Sequence, residues 1–109
     1  MAMSRDFVID ALACRATIKE AHRFRPFVNG VRDFRHVLKA VPDAAAGEIT
    51  GAQIDELRTL SASVIELIES RIDLQQDSTN DQRALAEQVY AIQLALEKID
   101  HWRRHFIGQ

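Results

Sequence analysis

The sequence predicts an all-α protein, a small helical bundle of about four helices in a single domain that covers residues 1–109. Apolar residues recur at alternating steps of four and three in four separate windows, which is the spacing of one helix face. No segment alternates with period two over a useful length, so we expect no sheet. Gly and Pro are rare, which favours long elements. We predict helices over roughly residues 4–24, 26–41, 51–76 and 80–106.

Pro26 separates the first two windows, because a proline inside a helix removes one backbone hydrogen bond and costs about 3 kcal/mol. Ser4 is predicted as the N-cap of the first helix. Pro42 is predicted to end the second helix, and Gly30 within it costs about 1 kcal/mol relative to alanine but permits close packing. The first apolar face consists of Phe7, Ala11, Cys14, Ile18 and Ala21. The second consists of Phe27, Val31, Phe34, Leu38 and Val41.

The last two windows are joined by the short polar turn 77–80, which predicts an antiparallel αα-hairpin. A capping-box pattern precedes each of them, Thr50 with Gln53 and Thr79 with Gln82. The third window has a broad apolar stripe that comprises Ile54, Leu57, Leu60, Val64, Leu67, Ile68, Ile72 and Leu74. The fourth has a seam that comprises Leu85, Val89, Ile92, Leu96, Ile99 and Phe106.

Three residues extend the apolar surface of the fourth window beyond its seam: Tyr90, Leu94 and Trp102. The stripe of the third window is likewise wider than one neighbouring helix needs. Two-fold symmetry is the commonest way in which proteins cover such surplus apolar surface. We therefore expect a homodimer that forms through this surface, with another protein as the alternative partner.

Charge is unevenly distributed along the chain, although the net charge is only −2. Residues 1–42 have a balance of +4, residues 43–100 a balance of −8, and residues 101–109 a balance of +2. A dense set of cations is what phosphate binding requires, so the basic N-terminal half suggests a nucleic-acid-binding module. Such binding requires the seven cations to share one exposed face and the acids to be turned away. The cations are Arg15, Lys19, Arg23, Arg25, Arg32, Arg35 and Lys39.

The same charges also suit assembly, because a basic row and an acidic row have identical i, i+3, i+7 offsets. The basic row is Arg32, Arg35 and Lys39, and the acidic row is Glu66, Glu69 and Asp73. We expect these rows to meet between helices or between subunits, the alternative being two independently solvated faces. Exposed ion pairs add only about 0.2–1 kcal/mol each, so they would select a partner rather than supply its affinity.

His101 and His105 are four residues apart and share a helix face with Glu97, a set of ligand types that transition metals accept. The alternative is a positively charged last turn favoured by the helix dipole, with Asp100 and Arg104 forming an i,i+4 pair. The histidine pair lacks the intervening glutamate of the zinc metalloprotease motif. We therefore expect no catalytic residue, cofactor or metal ligand here.

Two short patterns resemble those of enzyme families. Arg15 and His22 have the Arg-x6-His spacing of small helical ribonucleases of the HEPN class, which implies an arginine that holds a phosphate and a histidine that moves a proton. Residues 54–74 resemble the first helix of the helical chorismate mutases, a resemblance that carries over only Arg58 and Arg71. These two arginines are about one helical turn too close for that pattern, and the lysine of its following helix has no counterpart.

The leading functional expectation is a non-enzymatic helical bundle that acts as a protein–protein interaction or regulatory module. The alternatives are a small metal-binding or histidine-dependent enzyme and a nucleic-acid-binding module. Cys14, the only cysteine, is expected to be a small buried hydrophobe. Residues 1–7 lack the apolar run of a signal peptide and no segment resembles a membrane span, so we expect a cytoplasmic protein.

Overall fold

The computed structural model describes residues 6–44 and 48–107, with side chains described as far as His105. Ser4 and the side chain of Phe106 lie outside this part. The four α-helices are α1 (Phe7–Glu20), α2 (Phe24–Ala40), α3 (Gly51–Leu74) and α4 (Thr79–Trp102). A 3₁₀ turn, Val41–Asp43, follows α2, and a π-helical turn, Arg103–Ile107, continues α4. The described ranges contain no strand, so the predicted all-α bundle is confirmed.

The predicted ends of the first two helices are corrected: α1 is shorter, and α2 begins two residues before Pro26, at Phe24. The carboxylate of Asp6 accepts two backbone N–H groups at 3.1 Å each, so α1 begins directly after it. The helix ends before Ala21, which is extended with a ψ of 117°. Pro26 therefore lies in the first turn of α2, where its missing N–H costs no intrahelical bond. The capping box of Thr50 and Gln53 at the start of α3 is confirmed, with reciprocal hydrogen bonds of 3.2 and 2.8 Å.

The second predicted capping box, Thr79 with Gln82, is wrong. Ser78 is the N-cap of α4, and its hydroxyl oxygen accepts the backbone N–H of Asp81 at 3.2 Å. The Gln82 side chain instead donates to the carbonyl of Ile72 at 3.0 Å. Gln82 thereby ties the start of α4 to the last turns of α3 rather than to its own N-cap.

The helices form two hairpins packed side by side. α1 lies beside α2 and α3, and α4 lies beside the same two helices. The pairs α1–α4 and α2–α3 are consequently diagonal and approach each other least. The predicted α3–α4 hairpin is confirmed as antiparallel: Arg103, just after α4, donates at 2.8 Å to Asp55 in the early part of α3.

Two polar contacts show how the α1–α2 hairpin is oriented relative to the α3–α4 hairpin. Arg15 in the second half of α1 donates through Nε to the hydroxyl of Ser63 at 2.8 Å. Two turns further along α3, Arg71 donates to the carbonyl of His22, just beyond the end of α1, at 2.8 Å. Helices α1 and α3 therefore run parallel, and so do α2 and α4. The connection from α2 to α3 spans the diagonal at one end of the bundle.

The predicted seams form the core between the four helices. Each fully buried Leu or Ile contributes about 1.5–3 kcal/mol. Two predictions are wrong at helix ends: Leu74 is 73% exposed at the last residue of α3, and Trp102 is only 6% exposed because the connection after α2 packs at that end. None of the described helices is long and apolar enough to cross a bilayer. The largest fully buried side chains are Ile18, Val31, Phe34, Leu38, Val41, Ile54, Leu57, Val64, Ile68, Leu85, Ile92 and Ile99.

Candidate interaction surfaces

The two histidines at the end of α4 contact each other rather than converge with an acid. The ring centroids of His101 and His105 are 4.4 Å apart and the ring planes are tilted by 56°. No group of three His, Cys, Asp or Glu side chains within the described ranges is placed to hold a metal ion. Asp100 pairs with Arg58 of α3 and not with Arg104, so the predicted i,i+4 pair is wrong. The carboxylate of Asp100 therefore joins α4 to α3.

The residues of the two enzyme-like patterns also make contacts within the chain. Arg15 is held by Ser63, whereas His22 lies beyond the end of α1, so the two do not share a continuous helix face. Arg71 lies over the ring of Phe27, with 4.8 Å from its guanidinium carbon to the ring centroid, and donates to the carbonyl of His22. Its Nε is buried and has no hydrogen-bond acceptor among the described residues. Arg15 therefore joins α1 to α3, and Arg71 joins α3 to α2 and to the end of α1.

Cys14 lies half-buried in α1, next to α2. Burial raises the pKa of its thiol above the ordinary value, and the nearby carboxylates Asp33 and Asp10 raise it further. A thiol with a raised pKa is a poor nucleophile at neutral pH, because the thiolate is the reactive form. Cys14 was predicted to be a small buried hydrophobe; it packs against the core but is only half-buried.

Helices α1 and α4, which lie diagonally opposite each other in the bundle, each expose apolar residues on the outer face. The α4 patch is the pair Tyr90 and Leu94, which are 63% and 39% exposed and four residues apart. The α1 patch consists of Ile9, Leu12, Ala13 and Ala16, with Ile9 and Leu12 at 62% and 45%. The α4 patch was predicted from the sequence, except that Trp102 is not part of it.

Each apolar patch borders a surface hollow. A hollow of about 430 Å³ beside the α4 patch is lined by Pro42, Leu94, Glu97, Lys98, His101 and Trp102. A second hollow, of about 320 Å³, lies between α1 and α3 and is lined by Leu12, Asp55, Glu56, Thr59 and Leu60. Glu97 and Lys98 bring both signs of charge to the first hollow, whereas only acids are charged at the second.

The α1 patch was missed by the sequence interpretation. The stripe from Phe7 to Ala21 accounts for only one face of α1, and Ile9 and Leu12 lie outside it. Ile9 and Leu12 stand at positions that a helix with only one covered face would fill with polar residues. Their presence is the signal that could have identified this second face.

The other diagonal, α2 and α3, carries opposite charges on its outer faces. The basic ridge on α2 is Arg25, Asn29, Arg32, His36 and Lys39, all exposed. The acidic ridge on α3 is Asp55, Thr59, Ala62, Glu66, Glu69 and Asp73, all exposed. Both ridges advance by alternating steps of four and three residues, so each follows one side of its helix. Because α2 and α3 are diagonal, the ridges face away from each other and do not meet within one chain.

The seven N-terminal cations do not share one face, which is the condition that nucleic-acid binding sets. Arg15 lies between α1 and α3, on the other side of the bundle from α4. Arg35, which was predicted as part of a charged row, instead donates to the Gln88 side chain of α4 at 2.7 Å. Only Arg25, Arg32 and Lys39 of these seven cations belong to the exposed basic ridge.

Comparisons of the chain with models of protein families, with curated proteins and with solved structures found no match.

Proposed function

We propose that this protein is a non-enzymatic helical module that acts by self-association, with a homodimer as its simplest form. The observation that carries the proposal is the α4 patch. Tyr90 and Leu94 lie in the middle of α4, and their side chains are 63% and 39% exposed. Large exposed aromatic and aliphatic side chains at one place on a surface are typical of protein interaction sites.

The surroundings of the α4 patch have the composition of an interface. Beside Leu94, the hollow combines the apolar side chains of Pro42 and Trp102 with the polar rim of Lys98 and His101. An apolar centre with a charged rim is the usual anatomy of a contact between proteins. The bundle measures 47 × 27 Å along its two longer axes, enough for the roughly 800 Å² per partner that a stable interface buries.

The engagement of polar side chains within the chain favours this function over an enzyme. The arginines that the enzyme-like patterns single out are held by Ser63, Asp100 and the carbonyl of His22. We assign the module to the cytoplasm, where a reducing environment would keep Cys14 as a free thiol. A regulatory role would follow if association changed with protein concentration or with a second protein.

The test is the mass of the purified protein across the micromolar range, measured by sedimentation velocity and native mass spectrometry. We expect a dimer or larger species that the Tyr90→Ser, Leu94→Ser double variant weakens at least about tenfold, since each buried apolar side chain contributes about 1.5–3 kcal/mol. Leu74→Ser is the control, because Leu74 is an even more exposed apolar side chain, at 73%, but lies at the end of α3. A wild-type protein that stays monomeric at every concentration would overturn the proposal.

A further inference from the structure

We propose that copies of this chain associate head to tail, with the α2–α4 side of one copy against the α1–α3 side of the next. The inference rests on the self-association proposed above and names the surface that the α4 patch contacts. Two independent observations carry it: the diagonal placement of the two apolar patches and the opposite charge of the two ridges.

The apolar patches require two different surfaces to be covered. In the α1 patch, Leu12 lines a hollow with Thr59 of α3 and so lies on the α1–α3 side. In the α4 patch, Leu94 lies beside Arg35 and Lys39 of α2, on the α2–α4 side. A two-fold dimer through the α2–α4 side would cover the α4 patch and leave the α1 patch in water. A contact between the two different sides covers both patches at once.

The charges favour the same arrangement. The basic ridge makes the α2–α4 side positively charged. Helix α4 does not change this sign, because it exposes charges of both signs, among them Arg83, Glu87 and Glu97. The α1–α3 side has the acidic ridge, with Lys19 as an exposed cation of α1. A two-fold contact through the α2–α4 side would bring two copies of the basic ridge towards each other, and like charges at an interface are repulsive. A head-to-tail contact brings the basic ridge towards the acidic one.

The order of the helices makes this contact geometrically simple. If the next copy is turned by half a turn about the direction of stacking, its α3 faces α2 and its α1 faces α4. The basic ridge then meets the acidic ridge, and the α4 patch meets the α1 patch. Because each contact leaves one free side at either end, the assembly is open, and its mass should keep rising with concentration.

The two kinds of contact have different tasks. Exposed ion pairs contribute little to affinity, so the ridges select the partner side and its orientation. Burial of Ile9, Leu12, Tyr90 and Leu94 supplies the affinity, because apolar burial is the dominant favourable contribution to association. The proposal therefore predicts that charge reversal determines which variants associate with each other. Substitution of the apolar residues should weaken association of every pair of variants.

The experiment uses two charge-reversal variants of the full chain. The first carries Arg32→Glu and Lys39→Glu on the basic ridge, and the second carries Glu66→Lys and Glu69→Lys on the acidic ridge. All four positions are exposed, so we expect both variants to fold, and circular dichroism checks this. If the acidic-ridge variant loses helicity, Glu69→Lys with Asp73→Lys replaces it. The readout is sedimentation velocity at low salt, where screening is weakest.

We expect each variant alone to associate at least about tenfold more weakly than wild type, since two attractive pairs become repulsive. An equimolar mixture should regain association, and so should the chain that carries all four substitutions, because in both cases opposite ridges meet again. If wild type associates and the separate variants associate equally well, the ridges do not take part and only this inference fails. If wild type is monomeric, the proposed function fails as well.

One further outcome would also overturn the inference. In that outcome, wild type binds a fluorescein-labelled DNA duplex that the Arg32→Glu, Lys39→Glu variant does not bind, while the mass distribution of the two proteins is the same. The basic ridge would then serve a polyanion and not a second copy.

Discussion

Gly30 of α2 lies so close to Ile18 of α1 that a Cβ atom at position 30 would stand 2.9 Å from Cγ1 of that isoleucine. Ile18 is buried and β-branched, so its side chain has little room to move. The sequence interpretation that Gly30 permits close packing is therefore confirmed. The helix propensity lost at this position is compensated by the close approach of α1 and α2.

We expect Gly30→Ala to lower the free energy of unfolding by up to about 2 kcal/mol. Overpacking costs about 1–3 kcal/mol, and the better helix propensity of alanine offsets up to about 1 kcal/mol. In an Ile18→Ala background the close contact is gone, and the same substitution should become stabilising. Denaturant unfolding of the four proteins of this cycle measures both effects. A substitution effect of the same sign and size in both backgrounds would contradict this account.

The cap of α4 can be tested against its neighbour. Ser78→Ala should destabilise the protein by about 1 kcal/mol, because the hydroxyl of Ser78 accepts the N–H of Asp81. Thr79→Ala should be neutral or slightly stabilising, because Thr79 is exposed and alanine has the better helix propensity. Thermal and urea unfolding provide the measurement. An equal loss in both variants would mean that Thr79 also caps the helix.

Arg71 joins three elements, and its loss should be more costly than that of an ordinary arginine. It donates to the carbonyl of His22 and lies over Phe27, so we expect Arg71→Met to cost about 1–3 kcal/mol. Arg71→Lys should recover only part of this, since an ammonium group lacks the planar fork of donors. Arg83→Met, at an exposed position of α4, is the control and should change stability by less than about 0.5 kcal/mol. Equal stability of the Met and Lys variants with wild type would exclude the joining role.

The ion pair between Arg58 and Asp100 should matter little for stability but should depend on salt. The two side chains are 43% and 26% exposed, so we expect Asp100→Asn to cost no more than about 1 kcal/mol, and less at high salt. Arg104→Met should have no effect, although the sequence suggested Arg104 as the partner of Asp100. Unfolding of both variants at low and high ionic strength shows which of the two substitutions has a salt-dependent effect on stability. A salt-independent loss would mean that Asp100 acts through some other contact.

The sequence predicted the helices and their buried faces because both are local. The i, i+3, i+4 spacing alone identifies which side of a helix is apolar, and Leu85, Ile92 and Ile99 are indeed buried. Spacing does not say which helix covers that side. The parallel placement of α1 beside α3, and hence the partners of Arg15 and Arg71, depends on contacts between residues 48 and 49 positions apart.

The candidate surface was predicted in part for the same reason. Tyr90 and Leu94 lie off the seam of α4 in any bundle, so their exposure follows from the sequence. Trp102 was predicted to extend this surface but is covered at the end of the bundle, where Pro42 lines the same hollow. The opposed charge ridges could not be recognised before α2 and α3 were known to be diagonal.

Cys14 gives a pH dependence whose sign follows from its surroundings. Burial, with Asp33 and Asp10 adding to it, raises the pKa of the thiol in the folded protein. The unfolded chain therefore loses this proton at lower pH, from about 8.5 upwards, while the folded chain still holds it. Because the folded state then binds more protons, this contribution to stability is complete below that pH and is lost as the pH rises through the pKa of the folded thiol.

Comparison of wild type with Cys14→Ala isolates this contribution, because every other titrating group is present in both proteins. The free energy of unfolding of wild type, minus that of the variant, should fall as the pH rises above the ordinary thiol pKa. The reaction of Cys14 with a disulfide reagent should also be slower in the folded protein than in denaturant, and Asp33→Asn should speed it, since one of the nearby charges is removed. A folded thiol that reacts as fast as the denatured one at each pH would contradict the raised pKa.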